Sequence, residues 1–314
     1  MPPTYEGRPL ARPDEELADQ GLAFDLGTLL DRRQILRALG IGAATLGLAA
    51  CGDDSTSRTP KSSYSPAAGI GETPDETAGP YPGDGSNGPD VLEQSGVVRK
   101  DIRSSFGTAK GTAEGVPMTL ELTVNDLANR GRPFAGAAVY VWHCDREGRY
   151  SLYSDGITDQ NYLRGVQIAD TDGRVSFTSI FPACYSGRWP HIHFEVYPTR
   201  ADITDATKAI TTSQVALPKE TCDKVYQQPG YEASVTNLGQ ISLAKDTVFG
   251  DDSAALQLGA VSGDVGTGLT VSLGVAVDAT TAPTGGQLTG DGAPSGAPGG
   301  QPPDGPRPSG PPPS

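Results

Sequence analysis

The sequence predicts an all-β fold, an antiparallel β-sandwich core with long loops between disordered Pro/Gly-rich termini, and two observations carry that prediction. Short runs such as "MTLELTV", "AAVYVW", "RVSFTSI" and "LTVSLGVAV" are rich in Val, Thr, Ile and Tyr, residues that pack well on a pleated, half-buried surface. Turn residues separate these runs, with 41 Gly and 27 Pro among 314 residues and few helix-forming stretches. Short strands with frequent turns suit two packed antiparallel sheets.

The chain begins with a different kind of segment. In "DRRQILRALGIGAATLGLAAC", paired Arg32 and Arg33 precede an apolar run, then small residues ahead of Cys51. The run is too short for a stop-transfer helix, and the order of parts is that of an export signal. The twin arginine points to a route that carries folded proteins. "LAAC" resembles a bacterial lipobox, in which Cys51 becomes the lipidated first residue. Residues 1–51 are therefore expected to be a signal, with the mature protein on the outer face of the cell membrane or secreted, and touching membrane only through a lipid anchor.

Residues 52–75 lack apolar periodicity and are crowded with Ser, Pro, Gly and Asp, as in a flexible tether. Residues 76–280 hold the predicted core. Residues 281–314, ending "GGQPPDGPRPSGPPPS", cannot bury enough apolar surface to offset their ordering entropy. The formal charge of −14 argues against a nucleic-acid partner and leaves a small neutral or chelating ligand as the simpler expectation. An oligomer is compatible with the sequence. Beyond Cys51 stand Cys144, Cys184 and Cys222. No CxxC spacing occurs, which argues against a cysteine metal site, and a disulfide is expected between Cys184 and Cys222 because Cys144 lies within a predicted strand.

The chemistry concentrates in "GRWPHIHFEVY", residues 187–197, which holds two of the three histidines. On a strand, alternate residues share a face, so His191 and His193 project together while Ile192 points away. Such a pair suits a metal ion or a structural role. Further donors stand nearby. Tyr150 follows a Gly turn at the end of "VWHCDREGRYS", Tyr185 precedes His191 by six residues across a Ser-Gly turn, and Glu195 shares the face of the histidines. Glu195 would complete a 2-His-1-carboxylate set for ferrous iron. Phenolate with imidazole instead favours ferric iron, which lowers the tyrosine pKa enough to hold phenolate at neutral pH. His143 points to the opposite face and is not expected to be a ligand. Tyr197 is expected at the rim or in packing, and Trp142 and Trp189 in the core or a pocket wall.

Four separated stretches, "GPYPGDGSNG", "VWHCDREGRYS", "LRGVQIADTDGRVSFTSIFP" and "CYSGRWPHIHFEV", resemble the intradiol ring-cleavage dioxygenases in matching order over roughly residues 76–220. The resemblance implies a non-haem Fe(III) site on a β-sandwich, with Tyr150, Tyr185, His191 and His193 as ligands. Tyr185 and His193 would be axial, and Tyr150, His191 and a hydroxide equatorial. Tyr185 stands closer to the histidines here than the family's second tyrosine does. Arg188 would stabilise carbanion character in the bound ring, Gln214 would line the pocket, and Gly79, Pro80 and Tyr81 of "TAGPYP" would face the substrate. The implied reaction is O2-dependent opening of a catechol to a cis,cis-muconate type product. Two other readings stay open at this point: an exported, non-catalytic β-sandwich with a decayed metal site, and the ferrous oxygenase using Glu195.

Overall fold

The computed structural model describes residues 71–281 and 283–284, together with the backbone of two short strands, β1 (Thr4–Tyr5) and β2 (Arg8–Pro9), which pair antiparallel. The expected signal, Cys51, nearly all of the expected tether and the tail beyond residue 284 lie outside the described residues. Among the described residues no helix is long and apolar enough to cross a membrane.

Two sheets form the body. One is built from β10 (Ala260–Asp264), β11 (Gly268–Val277), β3 (Pro117–Asp126) and β4 (Arg132–Pro133), with β7 (Arg174–Ile180) also paired to β3. The other has the order β6 (Arg164–Ile168), β5 (Ala138–Trp142), β8 (His191–Tyr197), β9 (Thr211–Ala216). The fold is all-β, as predicted, and every pairing is antiparallel except β11 with β3, which run parallel. Two short helices, α1 (Lys219–Val225) and α2 (Glu232–Leu238), follow β9.

Alternation decides where the core lies. Leu120, Leu122 and Val124 of β3 join Val139 and Val141 of β5 and Ile192, Phe194 and Val196 of β8 in one buried cluster between the sheets. Each of the three β8 side chains contributes about 1.5–3 kcal/mol by leaving water. The opposite face of β8 carries His191, His193, Glu195 and Tyr197, and these are buried too, so the whole strand is inaccessible. Loops cover this outer face, and the polar side chains beneath them form the candidate site.

The N-terminal part of the body seals both margins of this four-stranded sheet. Along β9, Glu76 N–H donates to Thr212 O at 2.7 Å, Ser213 Oγ to Pro74 O at 2.7 Å and Gln214 Nε2 to Thr77 O at 3.0 Å. Along β6, Arg99 N–H donates to Val166 O and Val166 N–H to Val97 O. Thr73 exchanges hydrogen bonds with Ala276, and Asp75 accepts from Thr211 Oγ1 and Thr284 N–H. Residues 71–75, expected in the tether, and Thr284, expected in the tail, therefore belong to the ordered body. Hydrogen bonds to distant segments, from side chains as well as backbone, hold them, and composition does not report that.

The expected Cys184–Cys222 disulfide is not formed. Cys144, Cys184 and Cys222 are buried free thiols, with Cys184 Sγ directed at Arg188 O, 3.5 Å away, and Cys222 Sγ at Leu217 O, 3.9 Å away. Each sulfur lies against a backbone carbonyl.

Candidate metal centre

Tyr150 is delivered by a tight turn after β5. Asp145 Oδ1 accepts the N–H groups of Glu147 and Arg149, and Gly148 takes φ +86°, a conformation that disfavours side chains. A Cβ on Gly148 would stand 3.2 Å from Tyr185 Cβ, so the bare glycine also lets the two tyrosine segments approach. The Tyr185 segment is pinned from the other side by α2, where Ser234 Oγ accepts from Cys184 N–H and Asn237 Nδ2 donates to Cys184 O.

The four predicted donors converge. Tyr185 Oη lies 3.2 Å from His191 Nε2, and His191 Nε2 lies 3.1 Å from His193 Nε2. The ring of Tyr150 sits 6.0 Å from that of Tyr185 and 6.3 Å from that of His193, edge-on in both cases. His191 Nδ1 is 2.5 Å from Trp189 O. A carbonyl can only accept, so Nδ1 carries the proton and Nε2 presents its lone pair inward. His193 lies flat on Trp142, with ring centres 4.8 Å apart and planes 6° apart. Trp142 therefore serves as a pocket wall that fixes one imidazole plane.

All four donors are held neutral. Burial pushes Tyr150 well above the usual phenol range, helped by the neighbouring Tyr185. Burial likewise pushes Tyr185 to about 12, against a downward pull from Arg188. Burial, then the Arg188 charge, pull His191 down to about 3, and burial holds His193 well below the usual imidazole value.

The remaining predicted residues gather around this centre. Arg188, with 15 % of its side chain exposed, donates through Nη2 to Gln214 Oε1 at 2.7 Å and through Nε to Asp246 Oδ2 at 3.0 Å. Gln214 stands opposite His193 in the β8–β9 register and is fully buried. Gly79 adopts φ +70°, and a Cβ there would lie 3.5 Å from His193 Cε1. The Tyr81 ring lies 5.0 Å from that of Tyr150. Pro80 is exposed, and its carbonyl accepts from Asn87 Nδ2, so its backbone shapes the loop.

Glu195 is placed otherwise. Its carboxylate accepts from Tyr197 Oη at 2.8 Å and Thr212 Oγ1 at 3.3 Å, and burial raises its pKa to about 8. No group of three His, Cys, Asp or Glu side chains among the described residues is arranged to hold a metal, so the 2-His-1-carboxylate alternative has no structural basis. Tyr197 is a packing residue whose hydroxyl caps Glu195. His143 is satisfied on the other face by Cys144 O and Ser179 Oγ, each at 2.7 Å.

Parts of the chain are similar to known proteins. A sequence profile of the family described as Dioxygenase matches residues 87–193, a span that includes Tyr150, Tyr185, Arg188, His191 and His193 but neither Gly79 nor Gln214. A chlorocatechol 1,2-dioxygenase of Rhodococcus opacus is 34 % identical over 82 residues, covering 23 % of this chain and 32 % of that protein. A catechol 1,2-dioxygenase of a Pseudomonas strain is 39 % identical over 72 residues, 23 % of each chain. The matched segment thus spans a third or less of these relatives' length. An intradiol ring-cleavage dioxygenase from Tetranychus urticae superposes with a TM-score of 0.54 at 21 % identity, covering 68 % of this chain and 97 % of that one, which shows the shared fold.

About a third of the chain is thus similar in sequence to dioxygenases, and the fold is shared with an intradiol ring-cleavage dioxygenase.

Non-haem iron, the metal implied by the sequence resemblance, fits the donor set. The Tyr150 hydroxyl is buried with no hydrogen-bond partner, and an unpaired buried hydroxyl carries a penalty unless something satisfies it. Two imidazole Nε2 atoms facing each other beside two phenols leave no formal positive charge among the four donors. A trivalent cation held by these four residues would supply that charge and make both phenols anionic ligands.

Two contributors escaped sequence reading. Asp246 lies in "LAKDTVFG", where nothing in pattern or spacing marks it. Arg164 is fully buried and donates to Tyr81 O, Pro82 O and Ser151 O at 2.6–3.0 Å, so one guanidinium ties the loop bearing Tyr81 to the loop bearing Tyr150. Its place inside the "LRGVQIADTDG" stretch was the available signal.

Proposed function

We propose that this protein is an exported, lipid-anchored ferric intradiol dioxygenase that opens a catechol-type ring with O2, giving a cis,cis-muconate type dicarboxylic acid. The observation that carries the reading is the convergence of two inward imidazole nitrogens and two phenols, one of them without any partner, on the outer face of β8. Tyr150, Tyr185, His191 and His193 would hold the ion, which when bound supplies a Lewis acid that orients a chelating catecholate and makes its ring reactive toward O2.

The chain's own groups supply the rest. A catechol must lose two protons to chelate, and Tyr185 Oη, whose proton affinity is high and which adjoins His191 Nε2, is placed to hold one of them. Arg188 sets a fixed positive charge beside the phenols, where an anionic ring would bind away from water. Gln214 tethers that guanidinium on one side and the Thr77 carbonyl on the other, linking it to the strap that brings Gly79 against His193.

Oxygen uptake against a panel of catechols, with the products identified, tests the proposal. One O2 consumed per ring-opened dicarboxylate is expected. An iron-replete protein that consumes no O2 with any catechol would overturn it. The twin-arginine signal suits a protein that takes up iron before export, so replacing it with a signal for unfolded chains is expected to lower the iron content of the exported protein. Unchanged loading would remove that part of the reading.

A further inference from the structure

Asp246 lies outside every stretch that carries the family resemblance, yet it joins more parts of the centre than any predicted residue. Its side chain is fully buried, and its two oxygens receive four donors. Oδ2 accepts Arg188 Nε–H at 3.0 Å and Trp189 N–H at 2.6 Å, while Oδ1 accepts Val248 N–H at 2.9 Å and Phe249 N–H at 3.0 Å. Three of these contacts reach the site. Arg188 stands beside the two phenols and holds Gln214. Trp189 O receives the Nδ1 proton of His191, so the carboxylate grips one end of the peptide segment whose other end sets the imidazole tautomer. The Phe249 ring lies 5.9 Å from the guanidinium carbon and 6.5 Å from the His191 ring centre, filling the space between them.

A buried ion pair is by itself weak grounds for assigning a role. Here the same oxygen binds both the guanidinium and the next residue's N–H, which fixes the direction of the side chain as well as its charge. A guanidinium held at Nε by Asp246 and at Nη2 by Gln214 has no rotational freedom left about its long stem, and a charge so fixed needs no reorganisation during reaction. Resting on the functional reading above, we infer that Asp246 is a positioning residue: it aims the Arg188 guanidinium at the ring-binding side of the centre and locks the segment that orients His191.

The test uses the full chain. Asp246→Asn keeps the shape but turns one oxygen into an amide that faces N–H donors, so one side of the network must break. Iron content is expected to hold while kcat falls by about tenfold to a hundredfold, with a smaller change in KM. Arg188→Lys is expected to lose a similar factor, and the double variant to lose no more than the larger single loss, because both act through one group. Losses that multiply, or a full kcat in Asp246→Asn, would overturn the inference.

A second measurement needs no turnover and no variant. In chelator-stripped protein, the Arg188 Nε–H resonance is expected to be shifted and slow to exchange at neutral pH. Exchange as fast as in exposed arginines refutes the positioning role even if Asp246→Asn fails to fold. The two failures stay distinct: a protein that opens no catechol overturns the functional reading, whereas the Arg188 resonance still decides whether Asp246 holds the guanidinium.

Discussion

Tyr150→Phe is expected to move the metal-free and iron-loaded proteins in opposite directions. In the structure the Tyr150 hydroxyl is buried with no hydrogen-bond partner, while its ring packs against Tyr81 and Tyr185 at 5.0 and 6.0 Å. Removing the oxygen keeps those ring contacts and relieves a desolvated, unpaired group that costs about 1–3 kcal/mol. For a body of this size each kcal/mol shifts Tm by about 2–4 °C, so the chelator-stripped variant should melt several degrees above the stripped wild type. With ferric iron the sign reverses, because the variant loses one of two phenolate donors and much of the tyrosinate-to-iron visible absorption. The assay is thermal unfolding of stripped and loaded protein side by side, with absorption recorded at equal iron content. A stripped variant that melts lower, or a loaded variant with undiminished colour and Tm, would refute the placement of Tyr150 at an iron.

Three further outcomes follow from the same geometry. Both phenols are protonated at neutral pH in the metal-free protein and both imidazoles are already neutral, so ferric uptake should release two protons from the phenols and a third from the water that becomes the bound hydroxide, read by pH-indicator titration after correction for the carrier chelator; release of one or fewer counts against the ligand set. The Glu195 pKa is raised by burial from 4.5 to about 8, so its contribution to stability is full below pH 4.5 and is lost as pH rises through 8. Glu195→Gln should therefore gain on the wild type in urea unfolding between pH 4.5 and 9, with iron content unchanged; a falling iron content would restore the carboxylate as a ligand. Gly79→Ala meets His193 Cε1 only at ordinary contact distance, so its cost is the left-handed backbone, about 1–2 kcal/mol in urea unfolding, and a neutral result would show that the strap relaxes freely.

What could be read from the sequence was local. In "HIHFEV" the period of two separates Ile192, Phe194 and Val196 from His191 and His193, and the structure puts the first set between the sheets and the second in the centre. The Gly and Ser-Gly turns framed Tyr150 and Tyr185 for the same reason, since turn chemistry is written in neighbouring residues. Contacts made across long chain separations left no such trace. Asp246 meets Arg188 across 58 positions, the parallel pairing of β11 with β3 has no local signature, and residues 71–75 look like linker because their order comes from hydrogen bonds to the distant β9 and β11. The cysteines show the converse error: counting thiols suggested a bridge, whereas the three buried thiols are free, each against a backbone carbonyl.

The strap that seals the four-stranded sheet bears on how the protein is made. Residues 73–77 and 97–99 emerge from the ribosome before the strands they border, and Thr73 meets its partner Ala276 only 203 positions later. Until the strap segments dock, the margins of β6 and β9 are raw hydrogen-bonding edges, open to pairing with another chain. The Thr73 contact with β11 closes only when nearly the whole domain has been synthesised, and contacts of such sequence separation form slowly.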